Sequence, residues 1–282
     1  MKSYKERVIS GSKSTVRCVS KGKGRPLVVL PGFGWDAPSM CEYFDDALTH
    51  PSGWTRYYFD MPGTGKTPGN SSVATVDAIV ELYTEAIIEI IGAEMFALAG
   101  YSFGGYLARG VQRNLSDRIV GLMLIAPTVY GDPKRRSLPS HTPAVVDHEF
   151  LAGLSEIERK QLTSMAIVQT PAVWEQLKAI LDYTSESKDE EYLSSLSGQN
   201  RIFSYERDLN KSVFSNPALI AVGRQDSVVG YEDAFSLSSK YPRATITVID
   251  AAGHGLFIEQ NSVFVQLVQN WIERIVMNLE KG

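Results

Sequence analysis

The segment Gly100-Tyr101-Ser102-Phe103-Gly104 sets a hydroxyl between two glycines, directly after the apolar run Met95 to Ala99 and directly before a helical stretch. A serine on a sharp strand-to-helix turn needs strained backbone, and bulk two residues to either side would collide with that turn. The helix N-terminus that follows favours negative charge near the hydroxyl. The chemistry such a group performs is nucleophilic attack. A bare G-x-S-x-G match arises by chance about 0.2 times in a chain of this composition and length, so the context carries the reading, and an ordinary Gly-rich turn is the rival to it.

A serine hydroxyl is a weak nucleophile at neutral pH, so a base must lie within hydrogen-bond reach and a third group must hold that base. Of the four histidines, His50 and His141 lie beside prolines in polar loops and His148 falls in a polar helical stretch. His254 follows the apolar strand Thr245 to Ile249 in Ala251-Ala252-Gly253-His254-Gly255, where two glycines free its side chain. Asp226 ends the run Ala218-Leu219-Ile220-Ala221-Val222-Gly223-Arg224-Gln225, so the chain order is Ser102, Asp226, His254. Asp250 and Asp60 compete with Asp226 for the third place. The Gly-rich loop Pro31-Gly32-Phe33-Gly34-Trp35 and the start of the Ser102 helix offer two backbone N–H groups, Phe33 and Phe103, for a developing oxyanion. A plain turn is the competing reading of that loop.

These residues sit at the ends of elements whose alternation predicts a mostly parallel sheet flanked by helices. Arg7 to Ile9 and Ser14 to Val19 read as short antiparallel edge strands, and Pro26 to Leu30, Met95 to Gly100, Ile119 to Ala126 and Ala218 to Val222 as strands buried on both faces. Trp54 to Asp60 and Thr245 to Ile249 complete the strands. Helices are predicted over Ser39 to Leu48, Thr75 to Ile91, Gly104 to Asn114, Tyr231 to Lys240 and Ser262 to Leu279. Thr75 and Ser72 are both plausible caps for the second of them. Between Gly131 and Leu209 no strand is predicted, and helices dominate near Asp147 to Thr170, Val173 to Tyr183 and Lys188 to Ser197. The organisation expected is a core of residues 1–130 and 210–282 with an inserted helical cap over 131–209.

The chain has 282 residues with 28 basic and 32 acidic side chains, a net charge of −4, which excludes a strongly basic nucleic-acid binder. Its 44% hydrophobic and 21% charged residues exclude a disordered or fibrous chain. No apolar stretch approaches the roughly 18 residues of a membrane span, and the charged start Met1 to Arg7 has no apolar run behind it, so a cytoplasmic location is expected. Cys18 and Cys41 read as reduced thiols, and no metal or other cofactor is implied. Lys134-Arg135-Arg136 reads as a solvated loop.

Together these features resemble the α/β-hydrolase family, in particular its lidded serine hydrolases with a cap after the sixth strand. The resemblance runs from Leu30-Pro31-Gly32-Phe33-Gly34 through Asp60-Met61-Pro62-Gly63-Thr64-Gly65 and the Ser102 turn to Asp226 and His254. Members commonly carry His where Pro31 stands, and the Asp60 to Gly65 turn is a structural hallmark in them. The resemblance implies cleavage of a small-molecule carboxylic ester or thioester through an acyl-enzyme, with hydrolysis of a carbon–carbon bond in a diketone-like substrate as the alternative within the same family. Ser102 argues against relatives with an aspartate nucleophile. A non-catalytic ligand-binding protein on the same fold is the rival from another class.

Gly63-Thr64-Gly65-Lys66-Thr67 ends like a phosphate-binding loop, but Asp60 stands where that motif needs glycine. Trp35, Tyr101 and Trp174 are the residues expected to touch substrate. Phe150, Tyr183, Tyr192, Phe203 and Tyr205 could line an acyl pocket from the cap or form the cap's own core, and the second reading is the stronger for any one of them.

Overall fold

The computed structural model describes residues 4–49, 52–184, 188–209, 211 and 213–280, with residues 182–184 described by their backbone alone. His50 and the side chain of Tyr183 therefore lie outside the described residues. Among the described residues the main sheet has eight strands: β1 (Lys5–Ser10), β2 (Thr15–Gly22), β3 (Arg25–Leu30), β4 (Trp54–Phe59), β5 (Phe96–Tyr101), β6 (Ile119–Ile125), β9 (Ala218–Gly223) and β10 (Ala244–Ile249). The two remaining strands, β7 (Val145–Val146) and β8 (Val168–Gln169), pair with each other. The main sheet runs β1-β2-β4-β3-β5-β6-β9-β10, with β1–β2 and β2–β4 antiparallel and every later pairing parallel. β2 was expected at an edge; it is interior, because β1 folds back and pairs with its residues Thr15 to Ser20.

The apolar runs go to the middle of the sheet because both of its faces are covered. Along β5, Phe96 and Leu98 face a core built with α2 (Val76–Ile91) and α3 (Phe103–Leu115), while Ala97, Ala99 and Tyr101 face one built with α1 (Ala37–Phe44) and the C-terminal helix α11 (Asn261–Leu279). Thr75, rather than Ser72, caps α2 by accepting from the Ala78 N–H, and Gly92, at φ +58°, ends it. α1 begins two residues before the predicted start because Asp36 caps the Ser39 N–H and Pro38 suits the first turn.

Between β6 and β9 the described residues form five α-helices: α4 (His148–Gly153), α5 (Glu156–Met165), α6 (Pro171–Thr184), α7 (Glu190–Ser195) and α8 (Glu206–Leu209). Two expectations for this insertion are corrected. It does contain strands, the two-residue pair β7–β8, and the single helix read over Asp147 to Thr170 is broken at Ser155, where Ser155 and Glu158 form a reciprocal capping box. The helix read over Tyr231 to Lys240 shortens to α9 (Glu232–Phe235) followed by a 3-10 turn. The short α10 (Leu256–Glu259), just after His254, was not anticipated.

Cys18 and Cys41 are buried and unpaired, and burial pushes the Cys41 thiol up to about 12. Among the described residues no helix is long and apolar enough to cross a membrane. Lys134-Arg135-Arg136 is less solvated than its sequence suggests: Arg135 pairs with the buried Glu206, and Arg136 donates from Nη1 to the Val228 carbonyl at 3.1 Å.

Candidate active site

Ser102 lies between the last residue of β5 and the first of α3, at φ +54° and ψ −118°. A non-glycine residue in this region is strained, and strain of this kind persists only where the surroundings enforce it. Three backbone bonds do so: the Ser102 N–H donates to Ile125 O at 2.8 Å, while its carbonyl accepts from Gly105 and Thr128, each at 3.0 Å. The glycines do more than relieve the serine. A Cβ on Gly100 would strike the Gly104 carbonyl, and one on Gly104 would strike the carbonyls of Leu30 and Pro31. Gly104 thus lets the first turn of α3 lie against the start of the Phe33 loop.

That approach brings together the two residues whose N–H groups were singled out in the sequence. The rings of Phe33 and Phe103 meet edge to face at 5.6 Å, and neither N–H is engaged by another group among the described residues. Pro31 does not disturb the loop, which closes with the Trp35 N–H donating to Gly32 O at 3.2 Å.

His254 reaches both expected partners. Its Nε2 lies 2.9 Å from Ser102 Oγ and its Nδ1 lies 2.9 Å from Asp226 Oδ2. The tautomer protonated on Nδ1 donates to the carboxylate and leaves Nε2 free to accept from the serine. The Tyr101 ring lies 5.2 Å from the imidazole, tilted by 34°, and limits its rotation. Asp226 is fully buried, and its Oδ1 accepts from the N–H groups of Val228 at 2.8 Å and Val229 at 3.0 Å. Burial alone would raise its carboxyl; the charge and hydrogen bond of His254 and the two N–H groups outweigh that and hold it below the ordinary range.

The competing residues have other partners. Asp250 accepts from the Gln225 amide at 3.0 Å, and the same amide's oxygen accepts from the Ala252 N–H, so this pair ties the Asp226 loop to the His254 loop. Asp60 accepts from the N–H groups of Ala37 and Lys66 and from the Thr67 hydroxyl, which fixes the hallmark turn. Lys66 pairs with Glu6 at 2.6 Å. His148 opens α4 on the exposed side of the insertion.

A model of the alpha/beta hydrolase family matches residues 27–267. The chain belongs to the alpha/beta hydrolase family. Among solved structures, this hydrolase is similar to an alpha/beta superfamily hydrolase from Oenococcus oeni PSU-1, with a TM-score of 0.85 and 28% identity over 96% of this chain and 99% of the other. It is also similar to a 2-hydroxy-6-oxononadienedioate/2-hydroxy-6-oxononatrienedioate hydrolase of Paraburkholderia phymatum, at 23% identity over 93% of this chain and 92% of the relative. A putative esterase/lipase 2 of Mycoplasma pneumoniae matches at 22% identity over 92% and 93% of the respective chains.

Beside the imidazole this alpha/beta hydrolase has a cavity of about 150 Å³, lined by Trp35, Tyr101, Ile167, Leu177, Ile180 and Phe257 among others. Of the residues expected to touch substrate, Trp35 and Tyr101 line this cavity. Trp174 is not brought to this cavity; it is buried in the core shared by α6 and the sheet. The aromatic residues of the insertion mostly pack on one another or on the core: Phe203 lies 4.3 Å from Tyr106 and 4.8 Å from Tyr205, and the Tyr192 hydroxyl donates to Val73 O.

Two residues at the site had no local sequence signal. His141, set aside as a loop histidine, lines the cavity, with Nε2 2.8 Å from Thr163 O and Nδ1 3.4 Å from Ser227 Oγ. Glu259 on α10 accepts from the Gly253 N–H at 2.6 Å and also from the N–H groups of Ile167 and Val168, fastening the His254 loop to β8 of the insertion. Its burial raises the carboxyl, with these three donors opposing the rise.

Proposed function

We propose that this alpha/beta hydrolase cleaves a small-molecule carboxylic ester or related acyl bond through a Ser102–His254–Asp226 triad and an acyl-enzyme, residues 131–209 forming a cap over the site. The observation that carries the reading is the unbroken chain from hydroxyl to imidazole to buried carboxylate, both links at 2.9 Å. Ser102 attacks the carbonyl carbon while His254 Nε2 takes its proton. The tetrahedral oxyanion is held by the Phe33 and Phe103 N–H groups, a class of donor whose individual removal typically costs about 2.7 to 4 kcal/mol in barrier. His254 returns the proton to the leaving alkoxide, and water then enters by the same path in reverse. Asp226 stays ionised and stabilises the imidazolium.

The apolar cavity of about 150 Å³ is small against the roughly 300 to 1,000 Å³ of drug-sized ligand sites, which favours a short acyl group. A fluorophosphonate probe tests the chemistry: it should label the protein at Ser102 and fail on Ser102→Ala, and a panel of esters of graded acyl length should give the highest kcat/KM at the short end. Absence of labelling on folded protein would favour a non-catalytic ligand-binding role. The likeness to the 2-hydroxy-6-oxononadienedioate hydrolase supports a second reading, cleavage of a carbon–carbon bond beside a ketone by the same residues. Turnover of a 2-hydroxy-6-oxo-dienoate by a protein inert to every ester in the panel would select it.

A further inference from the structure

Arg201 lies in the insertion, in the turn between α7 and α8. Its guanidinium carbon sits 4.7 Å from the centroid of the Phe33 ring and 5.1 Å from that of Phe103, on the two residues proposed to hold the oxyanion. No carboxylate lies within ion-pair distance of Arg201 among the described residues, and its Nε is shielded from solvent without a partner. Arg201 and Lys188 line one cavity of about 310 Å³ together with Phe33 and Gly34. The acid at that cavity, Glu190, is exposed and pairs with neither cation among the described residues. Arg136 has two further nitrogens, Nε and Nη2, buried without a partner among the described residues.

A guanidinium partly withdrawn from water is favoured by a compensating anion, and contact with aromatic faces supplies only part of that compensation. Burial, and after it the neighbouring charge of Arg136, lower the Arg201 pKa, the sign of positive charge left uncompensated. This occurs in a chain whose net charge is −4, so the local excess is not a reflection of overall composition.

We infer that Arg201, with Lys188 beside it, is a recognition site for a carboxylate carried by the substrate at its end remote from the scissile carbonyl. The inference rests on the acyl-transfer reading and narrows it to anionic substrates. A planar guanidinium suits a carboxylate in two-point contact, which both binds the substrate and fixes how its carbonyl meets Ser102.

The test compares two esters that differ only in this group, ethyl butyrate and monoethyl succinate, each followed by ethanol release. The wild type should show a kcat/KM at least tenfold higher on monoethyl succinate. In Arg201→Gln the ratio of the two kcat/KM values should fall at least tenfold, the loss of one charge-assisted hydrogen bond, whereas Arg201→Lys should retain part of it. Equal rates on the two esters in the wild type, or equal losses on both in Arg201→Gln, would overturn the inference. A binding arm separates this failure from failure of the acyl-transfer reading. Ser102→Ala should be stabilised thermally by monoethyl succinate more than by ethyl butyrate, and the difference should vanish in the Ser102→Ala/Arg201→Gln double variant. A protein that turns over neither ester but shows this charge-dependent stabilisation refutes the chemistry and supports the site; no difference between the ligands refutes the site.

Discussion

Asp226→Asn changes one atom of the proposed triad, and the surrounding hydrogen bonds dictate how the amide must sit. Oδ1 of Asp226 accepts from two backbone N–H groups, Val228 at 2.8 Å and Val229 at 3.0 Å. An asparagine has one acceptor oxygen, and these two donors will claim it, because turning the amide round would set NH₂ against both of them. The amide nitrogen then takes the position of Oδ2, 2.9 Å from His254 Nδ1. As a donor it demands a lone pair on Nδ1, so the imidazole proton moves to Nε2, the atom that must accept from Ser102. The variant is folded and complete in every group but holds its base in the wrong tautomer.

The same inversion in a serine protease triad lowers kcat by about 10⁴, which is about 5 kcal/mol of barrier at 1.36 kcal/mol per decade. The rate of fluorophosphonate labelling and the kcat on a short-chain ester should both fall by that order. The melting temperature should shift by no more than a few degrees, since the two N–H bonds and the packing are kept. Activity within tenfold of the wild type would refute the assignment of Asp226 and show that His254 is oriented by another group.

Other perturbations probe other parts of the same frame. Ser102→Ala should abolish fluorophosphonate labelling and lower ester turnover by at least 10³ while relieving a positive φ only slightly, so its melting temperature should match the wild type's. Gly104→Ala sets a methyl group against the Leu30 and Pro31 carbonyls; overpacking against backbone typically costs about 1 to 3 kcal/mol, read by urea unfolding, and the displaced Phe33 loop should also slow acylation. Burial, opposed by the Ala37 N–H, by Arg17 and by the Lys66 N–H, pushes the Asp60 carboxyl from 3.8 to about 6. A raised pKa means that its contribution is fully present below pH 3.8 and lost as the pH rises through 6. The unfolding free energy of the wild type relative to Asp60→Asn should therefore fall by about 2 kcal/mol between pH 4 and pH 7, and a difference that grows with pH would contradict the shift. Glu259→Gln places an amide NH₂ against backbone donors and should lower kcat by loosening the Gly253 to His254 loop; unchanged turnover would mean that the loop holds itself.

Where backbone geometry alone decides a feature, it was legible in the sequence. The buried strands Pro26 to Leu30 and Ala218 to Val222 announce themselves as unbroken apolar runs because a parallel sheet covered on both faces has no solvent side to encode. The Ser102 turn was legible because its glycines answer to close backbone approach, and that approach is what the structure contains. β7 and β8, at two residues each, are too short to display a period, so the insertion read as purely helical. The capping box at Ser155 and Glu158 was available and would have divided α4 from α5.

The residues of the proposed triad and those proposed to meet the substrate differ in kind. Ser102, Asp226 and His254 each stand at the carboxyl end of a strand, so one rule of topology brings them to the same rim. His141, Arg201 and Glu259 meet that rim from segments whose local patterns describe a loop, a turn and a helix end, and only the docking of the insertion onto the sheet joins them. Glu259 makes that docking concrete: one carboxylate ties the backbone of β8 to the loop that carries His254. A shift of the insertion would therefore move His254 as well as the cavity wall.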